Sequence, residues 1–323
     1  MLEKARLVSG FLKYKYLKRG PFYASYNVTF RCNSRCTYCD YWKSEPPELG
    51  TADALKIVDR IAESGAPMMD FSGGEPLLRN DMVELAKRAK EDGMLATMNT
   101  SGLIRKEAVI KELSRYLDTV TISLDGLPDV HDEQRGIKGA FVRSVGTMKL
   151  YKAAGLRVGI NLVITRRNAD TLQEFFDYIA DSVDFITVQP VNPSVKFKFS
   201  DEAMRALISM KDKGKLPLDY KYIMGIRDYF DGNFTKVCEA TKLYFAVDPM
   251  GQLTACPPRH DIKLGSLLEK GFWELLDEHG AEAMKEIDRC SGCYLACTVG
   301  WSYQMDSPLI TSAYNGARTY LSH

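Results

Sequence analysis

No run of 18 or more apolar residues occurs in the 323-residue chain, so no transmembrane helix is expected. The first twenty residues, MLEKARLVSGFLKYKYLKRG, lack the apolar core and small-residue cleavage site of a signal peptide, and the chain is expected to be cytoplasmic. Neither sign of charge is in excess. A formal net charge of +1 argues against a nucleic-acid partner held by bulk electrostatics. Internal repeats and low-complexity tracts are missing too. What is left is an ordinary globular composition, 45% hydrophobic and 26% charged, long enough for one large domain or two.

Cysteine is absent from residues 40–237, and that gap matters because the eight cysteines fall in groups on either side of it. Cys32, Cys36 and Cys39 come first, then Cys238 and Cys256, then Cys290, Cys293 and Cys297. In a small secreted chain eight cysteines would suggest four disulfides. In a long chain without an export signal, grouping is what metal ligation demands, because several thiolates must converge on one centre.

Between residues 24 and 190, β-rich runs at 25–30, 67–72, 94–99, 119–124, 157–164 and 184–190 alternate with amphipathic helical patterns such as DALKIVDRIAESG. Six such units imply a parallel sheet with right-handed crossovers, either doubly wound or curved into a full or partial barrel. Ligands then bind where the strands end and the following loops begin. The unusual polar and glycine-rich segments obey that rule: the cysteine triplet follows the first strand, SGGEP (72–76) the second, NTSG (99–102) the third and SLDG (123–126) the fourth.

A structural zinc site wants four ligands. The C-x3-C-x2-C group offers three soft thiolates, which suits a four-iron cluster with one iron left open, and a zinc knuckle borrowing a distant ligand is the alternative. Cys32-x3-Cys36-x2-Cys39, with Tyr38 before the third cysteine and GGEP at 73–76, resembles the radical S-adenosylmethionine (radical SAM) superfamily. The resemblance implies a partial (β/α)6 TIM-type barrel. It also implies a [4Fe-4S] cluster whose open iron chelates SAM, reductive cleavage of SAM to a 5′-deoxyadenosyl radical, and an external one-electron reductant of the flavodoxin or ferredoxin type. By the same resemblance Tyr38 packs on adenine, and Gly73, Gly74, Glu75 and Pro76 attend the SAM amino group. Ser123 and Arg135 (SLDG, then HDEQRG) hold the carboxylate, Asp125 is a further cofactor-site residue, and Asn99, Thr100 and Ser101 lie near the ribose or the substrate. His131 is read as a local hydrogen-bonding residue.

The later cysteines follow C-x12-G-x4-C with Gly251 between Cys238 and Cys256, then Cys290-x2-Cys293 and Cys297. This resembles the auxiliary-cluster motif of SPASM and twitch domains. Five cysteines are too few for two clusters, which implies one auxiliary [4Fe-4S] cluster on Cys238, Cys256, Cys290 and Cys293. Cys297 is then a spare or a substitute for Cys293, and a zinc ribbon is the alternative. Two clusters would bring about eight irons per chain. The expected layout is a basic amphipathic segment (1–23), a radical SAM core (24–195), a helical linker (196–236), the auxiliary domain (237–300) and a tail (301–323) that closes the barrel mouth or packs as a helix.

The expected substrate is a non-peptide metabolite with a C–H next to oxygen, such as a sugar, cyclitol or glycerol-lipid headgroup, with the auxiliary cluster accepting an electron. Peptide modification is the rival enzyme reading, and a non-catalytic iron–sulfur electron carrier is the rival from another class. Asn161, Arg166 and Gln189, at the ends of the fifth and sixth strands, are the positional candidates for a catalytic base, and Gln189 is also a cofactor-site candidate. Trp301, Tyr303 and Met305 are expected in the core and Asp248 in a structural turn. Residues 1–20 carry six Lys/Arg against one acid. They are expected to pack as a surface helix, with peripheral contact to an anionic inner-membrane surface as the alternative.

Overall fold

The computed structural model describes residues 2–18, 20–43, 47–192, 195–309, 311 and 315; the side chains of 2–4 and the rest of the tail lie outside the described residues. Six strands are mutually parallel in sequence order: β1 (Tyr23–Thr29), β2 (Met68–Gly73), β3 (Leu95–Thr100), β4 (Thr119–Ser123), β5 (Arg157–Ile164) and β6 (Phe185–Pro190). Helices including Thr51–Glu63, Met82–Glu91, Ala140–Ala153 and Leu172–Ile179 cross between them. The partial (β/α)6 barrel that the resemblance implies is present.

Each strand is two-faced. Ala24, Tyr26 and Val28 on β1, Met69 and Phe71 on β2, and Ile160 and Leu162 on β5 are fully buried in the apolar core, on the face that the helices cover. The alternate positions are polar: Ser25 and Asn27, Asp70 and Ser72, Thr97 and Asn99, Thr119 and Thr121, Asn161, then Thr187 and Gln189. Because successive side chains of a strand point to opposite faces, this period of two lines the barrel interior with hydroxyls, amides and one carboxylate.

The sheet does not stop at β1. Strand β7 (Tyr244–Val247) pairs parallel with β1, and β8 (Gln252–Thr254) and β9 (Lys263–Ser266) follow antiparallel, giving the order β6-β5-β4-β3-β2-β1-β7-β8-β9. The hairpin expected around Gly251 is therefore continuous with the barrel sheet. Asp248 shapes its turn, accepting from the N–H groups of Met250 and Gln252 at 2.9 Å each.

The side of the barrel between β1 and β6 is closed by residues 295–304. Ala296 N donates to Gln189 Oε1 on β6 (3.3 Å), and Trp301 packs at 5.0 Å from Phe22 and 6.3 Å from Tyr23 at β1. Met305 is buried as expected, whereas Trp301 borders the interior cavity as well as the core. Helices Asp201–Asp212 and Tyr220–Asp231 occupy the expected linker.

The N-terminal helix Leu2–Leu17 packs on the barrel, with Leu7 and Tyr14 buried. Arg6 donates to the carbonyls of Asp92 (2.6 Å) and Ala62 (2.9 Å), and Lys15 to that of Met305 (2.7 Å). Two of its cations are thus engaged on helix and loop ends, which is the surface-helix expectation. Among the described residues, no helix is long and apolar enough to cross a membrane.

Candidate active site

The cysteine loop leaves the end of β1 and is held on both flanks by backbone. On one side Gly74 N donates to Thr29 O and Glu75 N to Arg31 O, both at 2.8 Å. A Cβ on Gly73 would lie 2.2 Å from Thr29 O, and one on Gly74 2.1 Å from Arg31 O. The two glycines are therefore required by this strand-to-loop approach. On the other side Arg35 N donates to Arg135 O (3.0 Å) and Thr37 N to Gln134 O (2.9 Å), tying the loop to helix Pro128–Arg135.

Cys32, Cys36 and Cys39 border one cavity of about 460 Å³ that runs from this loop into the polar barrel interior. Tyr38, Gly73, Gly74, Asn99, Ser101, Ser123, Arg135 and Gln189 border it too, as do Thr100 and Asn161. Arg166 is exposed and belongs to no part of it, so its side chain is removed from the positional candidates.

Three other expected residues serve the frame. The Glu75 carboxylate is fully buried, accepting from Thr100 Oγ1 (2.7 Å), Ser101 N (2.8 Å) and Leu77 N (3.2 Å). It fixes the 99–102 loop against the 75–77 turn, and Pro76 opens that turn. Asp125, also fully buried, takes the guanidinium of Arg135 (Nη2 to Oδ1, 3.0 Å; Nε to Oδ2, 2.7 Å) and the phenol of Tyr38 (2.7 Å). The Arg135 fork, expected on a ligand carboxylate, is thus occupied by Asp125, since a buried cation must be paired. Arg135 keeps one nitrogen for the cysteine loop, with Nη1 3.7 Å from Cys36 Sγ. His131 accepts from Asp125 N through Nδ1 (3.2 Å), and burial, with Arg135 adding to it, lowers its pKa to about 4.

Deeper in the cavity lies a residue the sequence reading passed over. Asp70 of β2 is 4% exposed and accepts from Thr97 Oγ1 and Asn99 Nδ2, each at 2.6 Å, with Tyr23 as a further hydrogen-bond partner. Burial pushes its pKa up to about 6 against the opposing pull of those bonds. The signal was available: Asp70 interrupts the apolar run of PMMDFS at a position in phase with the polar face of every neighbouring strand.

A second cavity of about 450 Å³ is bordered by Cys238, Cys256, Cys290 and Cys293. Tyr244 Oη is 3.5 Å from Cys238 Sγ, Thr298 Oγ1 3.5 Å from Cys293 Sγ, and Gly292 N donates to Cys290 Sγ at 3.5 Å. Burial alone would raise the Cys290 thiol, yet the Gly292 N–H and the nearby Arg259 and Lys236 charges bring it below its ordinary value. Cys297 does not border this cavity. It faces the first one.

All eight cysteines are unpaired. Among the described residues, no three His, Cys, Asp or Glu side chains gather as one metal ion would need. Thiols spread around a cavity fit a polynuclear cluster, whose ligands sit at separate corners. The Ser34 hydroxyl in the cysteine loop borders the first cavity, is 1% exposed and has no partner, which marks a place for a bound group.

Residues 26–179 match the family model described as the radical SAM superfamily. This part of the chain is a radical SAM domain. It is 34% identical over 161 residues to Fe-coproporphyrin III synthase of Methanosarcina barkeri, covering 48% of this chain and 40% of that protein. To PqqA peptide cyclase of Gluconobacter oxydans it is 30% identical over 210 residues, 60% of this chain and 59% of that one. Mycofactocin maturase of Mycolicibacterium smegmatis is matched at 27% over 310 residues, 87% of this chain and 78% of the relative. The chain thus spans well under two thirds of the length of several of its relatives. Among solved structures, Streptococcus suis SuiB bound to precursor peptide SuiA superposes with a TM-score of 0.66 at 16% identity, covering 83% of this chain and 67% of SuiB. The anSMEcpe protein with bound AdoMet and Cp18Cys peptide gives 0.61 at 19%, covering 80% of each chain. These likenesses concern the fold that carries the radical SAM domain.

Proposed function

We propose that this chain binds SAM and a [4Fe-4S] cluster at Cys32, Cys36 and Cys39 and acts on a C–H bond of a hydroxylated substrate held in the barrel interior. The observation that carries this reading is the single cavity joining the cysteine loop to the polar strand faces around Asp70. The bound cluster and SAM supply, on one-electron reduction by a ferredoxin- or flavodoxin-type donor, a 5′-deoxyadenosyl radical. The chain supplies the rest. Thr97, Asn99 and Tyr23 hold Asp70 in place, and Asp70 with Asn161 and Thr187 offers hydrogen-bond partners to hydroxyl groups. With a pKa near 6, Asp70 is the residue best suited to take a proton from a substrate hydroxyl at neutral pH. It replaces the positional candidates for a base.

In the same reading Cys238, Cys256, Cys290 and Cys293 hold an auxiliary [4Fe-4S] cluster in the second cavity, fully ligated by protein. A second substrate reading, a peptide side chain in the same cavity, is favoured by the relatives named as a PqqA peptide cyclase and a mycofactocin maturase. Peripheral membrane contact rests on Val8, Leu12, Tyr16 and Leu17, which the N-terminal helix leaves exposed. Sedimentation with vesicles containing anionic lipid tests it.

The central test is anaerobic reconstitution followed by iron counting and a 5′-deoxyadenosine assay with dithionite. About eight irons and 5′-deoxyadenosine are expected from the wild type, and no 5′-deoxyadenosine from the Cys32→Ala, Cys36→Ala, Cys39→Ala triple variant. A loaded, reduced wild type that never cleaves SAM overturns the reading in favour of an electron carrier. Polar-metabolite and peptide fractions, supplied separately, then decide between the two substrate classes by which one raises 5′-deoxyadenosine formation.

A further inference from the structure

Of the five late cysteines, four ring the second cavity and Cys297 alone borders the first, with Asp70 close enough for its charge to act on the thiol. Cys297 is carried by a π turn, Ala296–Gly300, in the segment that closes the barrel between β6 and β1. Wide turns of this kind recur at functional sites. This one is pinned to β6 through Ala296 N and Gln189, and Trp301 directly after it packs at the start of β1. The unpartnered, buried Ser34 hydroxyl on the same cavity independently marks it as a place where a ligand sits.

We propose that Cys297 is a catalytic hydrogen-atom donor, which makes the reaction a redox-neutral isomerisation at carbon in place of a net oxidation. This rests on the radical reading above. A thiol S–H bond is weak and gives its hydrogen readily to a carbon-centred radical. The alcohol and amide groups of the strand faces hold theirs far more strongly. Phenols are the other candidates by bond strength: those of Tyr38 and Tyr23 are engaged by Asp125 and Asp70, while Tyr41, which also borders the cavity, is stacked on Phe30 at 4.6 Å beside the cysteine loop. Burial raises the Cys297 thiol above its ordinary pKa, so the sulfur carries its hydrogen at neutral pH.

A substrate hydrogen is taken from the side of the cysteine loop, leaving a carbon radical. The Cys297 S–H bond breaks, a C–H bond forms from the β6–β1 side, and the sulfur is left one electron short. One electron from the ferredoxin-type donor and one proton from solvent restore the thiol. Return of hydrogen on the face opposite the one it left inverts the carbon.

The test uses SAM and dithionite alone, in D₂O, where the Cys297 hydrogen exchanges to deuterium. With no substrate present, the radical draws on the donor directly. Wild-type 5′-deoxyadenosine is expected to carry one deuterium. Per molecule formed, the labelled fraction is expected to fall to the H₂O control in both Cys297→Ser and Cys297→Ala. A readout independent of turnover is iron content with low-temperature EPR of the reduced protein: Cys297→Ser keeps the wild-type iron and both signals, whereas Cys293→Ser loses the auxiliary ones. Unlabelled wild-type product, labelling unchanged in the variants, or iron loss in Cys297→Ser overturns the proposal while leaving the radical reading standing. Absence of 5′-deoxyadenosine from every loaded form overturns both.

Discussion

Replacing Asp70 by asparagine isolates the energetic consequence of placing a carboxylate inside the barrel. Its pKa is about 6 in the folded chain against an ordinary 3.8. Below pH 3.8 both folded and unfolded states hold the proton. As pH rises from there the unfolded state loses it first, so the folded state loses relative stability until pH passes about 6. At about 1.4 kcal/mol per pH unit, that span amounts to about 3 kcal/mol by neutral pH. His131 works in the opposite sense: with a folded pKa of about 4 it makes the chain more stable as pH rises towards 6.5. The wild-type pH profile therefore mixes the two, and only the difference between Asp70→Asn and wild type is diagnostic. The substituted amide can keep the bonds to Thr97 and Asn99 if the Asn99 amide turns, so little packing is lost. Urea unfolding of the cluster-free protein should show the Asp70→Asn variant gaining about 3 kcal/mol on wild type between about pH 4 and pH 7. A difference that does not change with pH would refute the assignment of a raised pKa to Asp70. A stabilising substitution that also depresses turnover would mark the carboxylate as retained for function.

The frame of the site gives further expectations. Asp125→Ala leaves the Arg135 guanidinium buried and unpaired, and should cost about 3–5 kcal/mol in urea unfolding. Gly74→Ala forces a methyl group against Arg31 O, so the cysteine loop must shift; cluster-free stability should fall by about 1–3 kcal/mol, and iron retained at the first site should fall with it. Glu75→Gln keeps the shape of its side chain but weakens charged hydrogen bonds to Ser101 and Thr100, for a loss of about 1–3 kcal/mol. Thermal or urea denaturation of each variant beside the wild type checks these.

The six parallel strands and the rim that carries the cysteine loop, GGEP, NTSG and SLDG were legible because strand composition and turn residues mark them locally. Partnerships across the chain were not. Asp125 and Arg135 are ten residues apart, and nothing in SLDG or HDEQRG says that one neutralises the other. GGEP shows that backbone comes close to something, but only the fold reveals that it is Thr29 and Arg31. Cys293 and Cys297 differ by four positions, and the π turn decides which cavity each one meets. The alternating polar face of the strands was written in the sequence throughout. It becomes meaningful once the sheet is known to curve, since the same alternation on an open sheet would face solvent.

The pairing of β1 with β7 sets the order in which the molecule can be made. Tyr23 meets Tyr244 and Tyr26 meets Val247, so one edge of the first strand stays bare while more than two hundred further residues are synthesised. At ordinary elongation rates of about 5–20 residues per second, that is about ten to forty seconds. Through that interval the nascent barrel carries an unpaired strand edge beside three reduced thiols. In the proposed reading, a cluster on Cys32, Cys36 and Cys39 meets a finished wall only after the last third of the chain has emerged, and the late cysteines become available in the same closing phase. A chain stalled before residue 247 should accordingly bind iron poorly and associate through that open edge.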